Sequence, residues 1–213
     1  FGGTLEVWEE IDSTNVRAHA AAVAGAPAGT VVVAELQTRG RGRQGRSWDC
    51  PAHAGLLFSL VLPGDLRDSA RPQLLPLALA VGAAEALRHA TALDVQLKWP
   101  NDLVLEGSPP GKLGGILLES HPPPVACVVA GCGLNVDVTS DWFARAGLPA
   151  AAALAAPRHA REALLAAILA GMERRFAAWS AGRWADLVEV WAALDVLRDR
   201  AIVVERGAER FAG

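Results

Sequence analysis

"GTVVVAELQTRGRGRQGRSWDCPAHAGLLFSLVLP", residues 29–63, is apolar at both ends and strongly cationic between them. Residues 29–36 are β-branched or apolar, and residues 55–63 are apolar and closed by a proline, so each reads as a strand bounded by turn residues. Between them Arg39, Arg41, Arg43 and Arg46 fall within eight positions, interleaved with Gly40, Gly42 and Gly45, and no acid follows until Asp49. A connection of this length inside a folded unit is usually functional. Arginine presents planar, bidentate donors that suit phosphate or carboxylate oxygens, and glycine lets backbone amides come close to a ligand that a Cβ would block. The alternative is a solvated arginine-glycine segment that binds RNA loosely. Its position between two core strands favours a loop that orders over a bound ligand. Trp48 offers a flat surface for a stacked base, or equally a core contact.

Working outward, "TLEVWEEI" (4–11) alternates like a strand, and "DSTNVRAHAAAVAGAPAG" (12–29) reads as a helix with Ser13 as N-cap and Gly25 and Pro27 as stop signals. "PQLLPLALAVGAAEALRHA" (72–90) predicts a largely buried helix. "VQLKW", "DLVLEG", "GKLGGILLES" and "VACVVAGCGLNVDV" then give short strands broken by turn residues. Two amphipathic helices are expected between Arg158 and Leu197, and "AIVVERGAERF" (201–211) reads as a hairpin turning near Gly207. The pattern predicts helices and a mixed β-sheet over 1–197, with 198–213 as the beginning of a truncated second, β domain.

The chain of 213 residues is 52% hydrophobic and carries a net charge of -3, enough to bury one sizeable core. That balance argues against a general nucleic-acid coat or a membrane-surface binder, so the arginine cluster is local. Cys50, Cys127 and Cys132 are an odd number without paired metal-ligand spacing; Cys127 and Cys132 sit in an apolar strand-like run, where buried free thiols are common, and the usage reads as that of a reducing, cytoplasmic compartment. No apolar run approaches the ~20 residues that span a bilayer. A start at Phe1 and an end at "RFAG" read as a chain whose flanking residues are missing.

Three further clusters carry chemistry. "KWPND" (98–102) places a cation, an amide and a carboxylate within a few residues, or is an ordinary Asn-Asp turn. "GKLGGILLE" (111–119) starts a strand with Lys112, thinned by Gly114 and Gly115 where a ligand would lie against it, or carries a merely solvated lysine. "GCGLN" (131–135) reads as a strand closed by a glycine-rich turn, with Asn135 offering donors and an acceptor to a base edge, or chosen for its φ preference.

In this order, "DSTN", "QTRGRGRQGRSW", "KWPND", "GKLGGILLE" and "GCGLN" closely resemble the catalytic core of the biotin protein ligases, over about residues 5–137. The resemblance implies an α+β fold, a central mixed β-sheet flanked by helices and akin to the class II aminoacyl-tRNA synthetases and lipoate ligases, followed by a small SH3-like domain opened by "AIVVERGAERF". The DNA-binding winged helix of some members has no counterpart before the first strand. The implied reaction joins biotin to ATP, with Mg2+, as biotinyl-5′-adenylate, then transfers biotin to a lysine on the biotin carboxyl carrier protein of acetyl-CoA or a related carboxylase.

By the same resemblance, Ser13, Thr14, Asn15 and Gln37 fix the biotin head, Gly40, Arg41, Gly42, Arg43 and Gly115 enclose biotin and the adenylate phosphate, and Lys112 meets the biotin carboxylate. Arg43, Arg46, Trp48, Lys98, Asn101 and Asp102 lie on the nucleotide side, and Asn135 reads adenine. Arg43 and Lys112 carry the catalysis, and no metal ligands are identified. No DNA or membrane partner is implied, and a homodimer stays open. A lipoate or octanoate ligase or transferase of the same fold, or a non-catalytic RNA-binding module, is the competing assignment.

Overall fold

The computed structural model describes residues 1–63, 66, 70–107, 110–121, 127–157, 160–206 and 209–212. The two apolar runs around the arginine stretch form β2 (Val31–Gln37) and β3 (Gly55–Val61), paired antiparallel from Val31 against Leu60. Every residue of β3 is buried, which explains its unbroken apolar run apart from Ser59. The first strand, β1 (Leu5–Ile11), lies parallel to β2, and a parallel neighbour demands a crossover. The crossover is α1 (Thr14–Val23), whose Ala18 and Ala22 pack on Val32, Val61 and Val129.

On the far side of β3 the chain continues antiparallel through β7 (Cys127–Asn135), β6 (Gly111–His121), β5 (Asp102–Leu105) and β4 (Val95–Lys98). The seven-stranded order is β1-β2-β3-β7-β6-β5-β4, a mixed sheet as expected. The sheet face opposite α1 is covered by α2 (Leu75–Thr91) and α4 (Arg161–Ser180), with α5 (Trp184–Leu194) beside α2. The main core lies between these helices and the sheet, where Phe58, Leu60, Leu79, Leu113, Ile116 and Ile168 are almost fully buried, each contributing about 1.5–3 kcal/mol.

Helices α2 and α4 meet through two glycines. A Cβ added to Gly82 would lie 2.4 Å from the Gly171 carbonyl, and one added to Gly171 would lie 2.2 Å from the Gly82 carbonyl. The backbones are in contact, and alanine at either position would force them apart.

A short α3 (Ser140–Arg145) is capped by the Thr139 hydroxyl, which accepts from the Trp142 N–H at 3.2 Å. Beyond α5, Val196 N–H still donates to Leu97 O at 2.9 Å, fastening the chain to β4. The hairpin strands are β8 (Val203–Arg206) and β9 (Glu209–Ala212), with Val203, Val204 and Phe211 exposed. The expected turn at Gly207 and the helix start at Arg158 lie outside the described residues.

One element differs from expectation. "GCGLN" is not a turn closing a strand but the second half of β7 itself, with Gly131 and Gly133 on one face and Cys132 and Leu134 buried on the other. The cause is tertiary: those glycines make room for side chains arriving from elsewhere.

Candidate functional site

The arginine stretch folds back on itself as a small hairpin. Arg41 pairs with Ser47, Gly42 N–H donates to Arg46 O at 2.7 Å, and Trp48 N–H donates to Gly40 O at 3.0 Å. The tip uses positive φ at Gln44 (57°) and Gly45 (74°). A Cβ on Gly40 would fall 2.1 Å from Trp48 O, so the hairpin closes in this way only with glycine here, and Gly40 does not line the cleft. Gly42 does line it.

Opposite the hairpin, the start of α1 supplies a buried polar wall. Ser13, Thr14 and Asn15 are 2%, 3% and 5% exposed. Ser13 occupies the N-cap position without making a side-chain cap bond. The Gln37 Oε1 accepts from Thr14 N at 2.7 Å and from the Thr14 hydroxyl at 3.0 Å. The Ser59 hydroxyl lies 2.7 Å from the Thr14 hydroxyl and 2.5 Å from Asn15 Oδ1. Asn15 Nδ2 then donates to Glu119 Oε2 at 2.8 Å, and the Arg41 guanidinium meets Glu119 Oε1 at 2.8 Å.

The remaining wall comes from β4, β5 and β6. Lys112 Nζ is 2.8 Å from Asp102 Oδ1 and 5.7 Å from the centre of the Trp48 ring, so a carboxylate and an aromatic face aim it. Asn101 Nδ2 donates to Ile116 O at 3.0 Å, and its Oδ1 accepts from Arg43 at 3.3 Å, which joins the turn after β4 to the hairpin. Lys98 stands at the end of β4, where it pairs with Asp102 in register. Gly115 pairs with Asp102 from β6, and Arg46 reaches the rim from the hairpin.

These groups enclose a cleft of about 400 Å³, within the range of small-molecule sites. The structure brings together there Ser13, Thr14, Asn15, Gln37, Arg41, Gly42, Arg43, Arg46, Trp48, Lys98, Asn101, Asp102, Lys112 and Gly115. Five cationic side chains line it against the single carboxylate of Asp102 among the described residues, a balance that favours an anionic guest. Asn135 stands apart. It is buried, and its Nδ2 donates to Ala152 O at 3.0 Å and Lys112 O at 3.5 Å, so its donors face main chain and not the cleft.

Sequence reasoning missed four contributors. Ser59, the one hydroxyl in an apolar strand, connects Thr14 with Asn15. Glu119 joins Asn15 to Arg41. A Cβ on Gly131 would lie 2.0 Å from Asn15 Oδ1, and one on Gly133 would lie 2.6 Å from the Trp48 indole. The available signal was spacing: two glycines two apart in a strand share a face, and a face without side chains accommodates something else. Burial of Cys132 between those glycines pushes its thiol up to about 12. Among the described residues no cluster of three or more His, Cys, Asp or Glu can hold a metal ion, and no helix is long and apolar enough to cross a membrane.

Residues 7–135 match the model of the biotin/lipoate A/B protein ligase family. The chain is 39% identical over 145 residues to the bifunctional ligase/repressor BirA of Bacillus spizizenii, a match covering 67% of this chain and 43% of that protein. It is 39% identical over 137 residues to the biotin--[acetyl-CoA-carboxylase] ligase of Mycobacterium tuberculosis, covering 62% of this chain and 49% of that one. The matched region thus spans less than half the length of either relative. In three dimensions the chain is similar to the biotin protein ligase from Aquifex aeolicus in complex with biotin and ATP, with a TM-score of 0.77 at 24% identity over 99% of this chain and 86% of that one. At that identity the likeness concerns the fold.

Proposed function

The chain belongs to the biotin/lipoate A/B protein ligase family, and from that premise we propose that it is a biotin protein ligase. It forms biotinyl-5′-adenylate from biotin and ATP and transfers biotin to a lysine of a biotin carboxyl carrier protein of acetyl-CoA or a related carboxylase. The observation that carries this reading is the convergence of Arg41 and Arg43, Lys112 with Asp102, and the Thr14–Gln37 pair on one cleft.

The first step joins two anions, the biotin carboxylate and the α-phosphate, and their repulsion is the barrier that fixed cations lower. Lys112, aimed by Asp102 and Trp48, stands where carboxylate oxygen attacks phosphorus and pyrophosphate leaves. Arg43 lies over the adenylate phosphate, with Arg46 and Lys98 towards the nucleotide and Trp48 as its flat support. Thr14, Asn15 and Gln37 present oxygens and amide protons to the polar biotin head, and Arg41 covers it. In the second step the carrier amine attacks the acyl carbon, the bond to phosphate breaks and AMP departs, again under Lys112 and Arg43. A closed hairpin would keep water from the anhydride. Asn135 works from behind, holding the main chain at Lys112 and Ala152.

Mg2+ would arrive with the triphosphate. Such an ion takes one or two carboxylates with phosphate oxygens and water, and the chain offers Asp102, which already faces Lys112. The ion would neutralise phosphate charge. Residues 198–213 we read as the opening of a small SH3-like β-domain, represented by β8 and β9.

The test is ATP–pyrophosphate exchange with biotin, lipoate or octanoate. Biotin alone is expected to support exchange. Equal exchange with lipoate would move the chain to the lipoate branch of its family. Salt-sensitive RNA binding without any exchange would replace the enzyme with an RNA-binding module.

A further inference from the structure

Glu119 lies on β6 beyond the stretch that pairs with β5, and it does not line the cleft. It nevertheless touches two of the cleft's walls: one oxygen accepts from the Asn15 amide, and the other meets the Arg41 guanidinium, both at 2.8 Å. A carboxylate only accepts, so it selects Nδ2 of Asn15 and leaves Oδ1 to the Ser59 hydroxyl at 2.5 Å. With both ends of the amide assigned, a flip would set oxygen against oxygen. Gly131 closes the other side, since any Cβ there would occupy the place of Asn15 Oδ1.

We propose that Glu119 is a positioning residue that orients the Asn15 amide and, through Arg41, tethers the arginine hairpin to α1. One carboxylate thereby sets both the wall that receives the biotin head and the hairpin that covers it. The identity of the guest rests on the ligase reading above. The tether does not. With Glu119 at 20% and Arg41 at 47% side-chain exposure, solvent screens the pair, so the coupling is modest.

The decisive variant is Glu119→Gln, which keeps size and one acceptor, removes the charge, and leaves Asn15 free to rotate. Hydrogen exchange at the Gly42 and Trp48 amides is expected to accelerate about fivefold, with the thermal midpoint unchanged. KM for biotin in the exchange assay should rise by a similar factor while KM for ATP holds. Arg41→Gln cuts the same contact from its more exposed end and decides the matter should Glu119→Gln fold poorly. It should accelerate hairpin exchange equally, and the double variant no more than either single one. Unchanged hairpin exchange, additive effects in the double variant, or a rise in KM for ATP instead of biotin would overturn the proposal. A parent chain without biotin-dependent pyrophosphate exchange would refute the ligase reading alone, and the hydrogen-exchange arms would still decide the tether.

Discussion

Gly131 and Asn15 divide one small volume between them: a Cβ on the glycine would stand 2.0 Å from the Asn15 side-chain oxygen. Gly131→Ala should therefore expel Asn15 from its place between Ser59 and Glu119. Overpacking of this kind costs about 1–3 kcal/mol of stability, and biotin affinity should fall about tenfold or more as one wall of its site moves. Isothermal titration with biotin, alongside a urea melt, checks both. Parent-like biotin binding in a folded variant would mean that Asn15 does not face the ligand.

Lys112→Ala should leave the fold intact, because the side chain is 42% exposed and its partners are a carboxylate and the face of an indole. Adenylate formation should drop by about 10²- to 10³-fold, the usual effect of removing one fixed donor from a developing anion. The measurement is the single-turnover rate at saturating biotin and ATP. A near-parental rate would transfer the role to Lys98.

Arg43→Gly should release the intermediate rather than abolish its synthesis. An arginine over the adenylate phosphate contributes to forming the anhydride, and contributes more to holding it once pyrophosphate has gone. Its loss should weaken adenylate binding by about 1.5–3 kcal/mol, roughly 10- to 150-fold. Mixing the variant with biotin, MgATP and albumin, then blotting for biotin, reads the leak. If adenylate is still made and albumin is labelled no more than by the parent, Arg43 is not a retention contact.

The thiols of Cys50 and Cys132 are both pushed up to about 12, chiefly by burial. Their folded-state values lie above the ordinary 9.0, so the stability they contribute is present in full below that pH and declines as pH rises from about 9 towards 12. Thermal midpoints recorded from pH 8 to 11 should fall, and Cys132→Ala should flatten the fall. At pH 8 both thiols should resist a disulfide reagent until the chain is unfolded. Rapid labelling of the native chain would contradict their burial.

Periodicity and turn chemistry made β2, β3 and the arginine connection legible, because β3 is a buried run and β2 a largely apolar one, each bounded by glycine or proline. "GCGLN" misled for a physical reason: glycine and asparagine have the same local signature in a tight turn as in a strand whose face is occupied by remote side chains. Asn15 and Trp48 come from α1 and from the hairpin, and no local window contains them. Asn135 is a different case: the sequence offers its amide to a ligand, and the fold commits its Nδ2 to the carbonyls of Lys112 and Ala152. Ser59 and Glu119 were invisible because their significance lies only in what they join. The five motifs carried the general location of the cleft, while the contacts that hold it together depend on chain segments brought together by folding.

Helices α2 and α4 touch backbone to backbone at Gly82 and Gly171, and the same core includes Leu113 and Ile116, which flank the cleft-side positions of β6. A larger residue at either glycine would act as a wedge that forces the helices apart and disturbs the core on which β6 rests. Such a variant would look like a catalytic lesion in an activity screen while replacing no residue of the cleft. In this molecule, then, the distance of a substitution from the site is a poor guide to its phenotype, and defects mapped to the helical side need a stability measurement before they are assigned to chemistry.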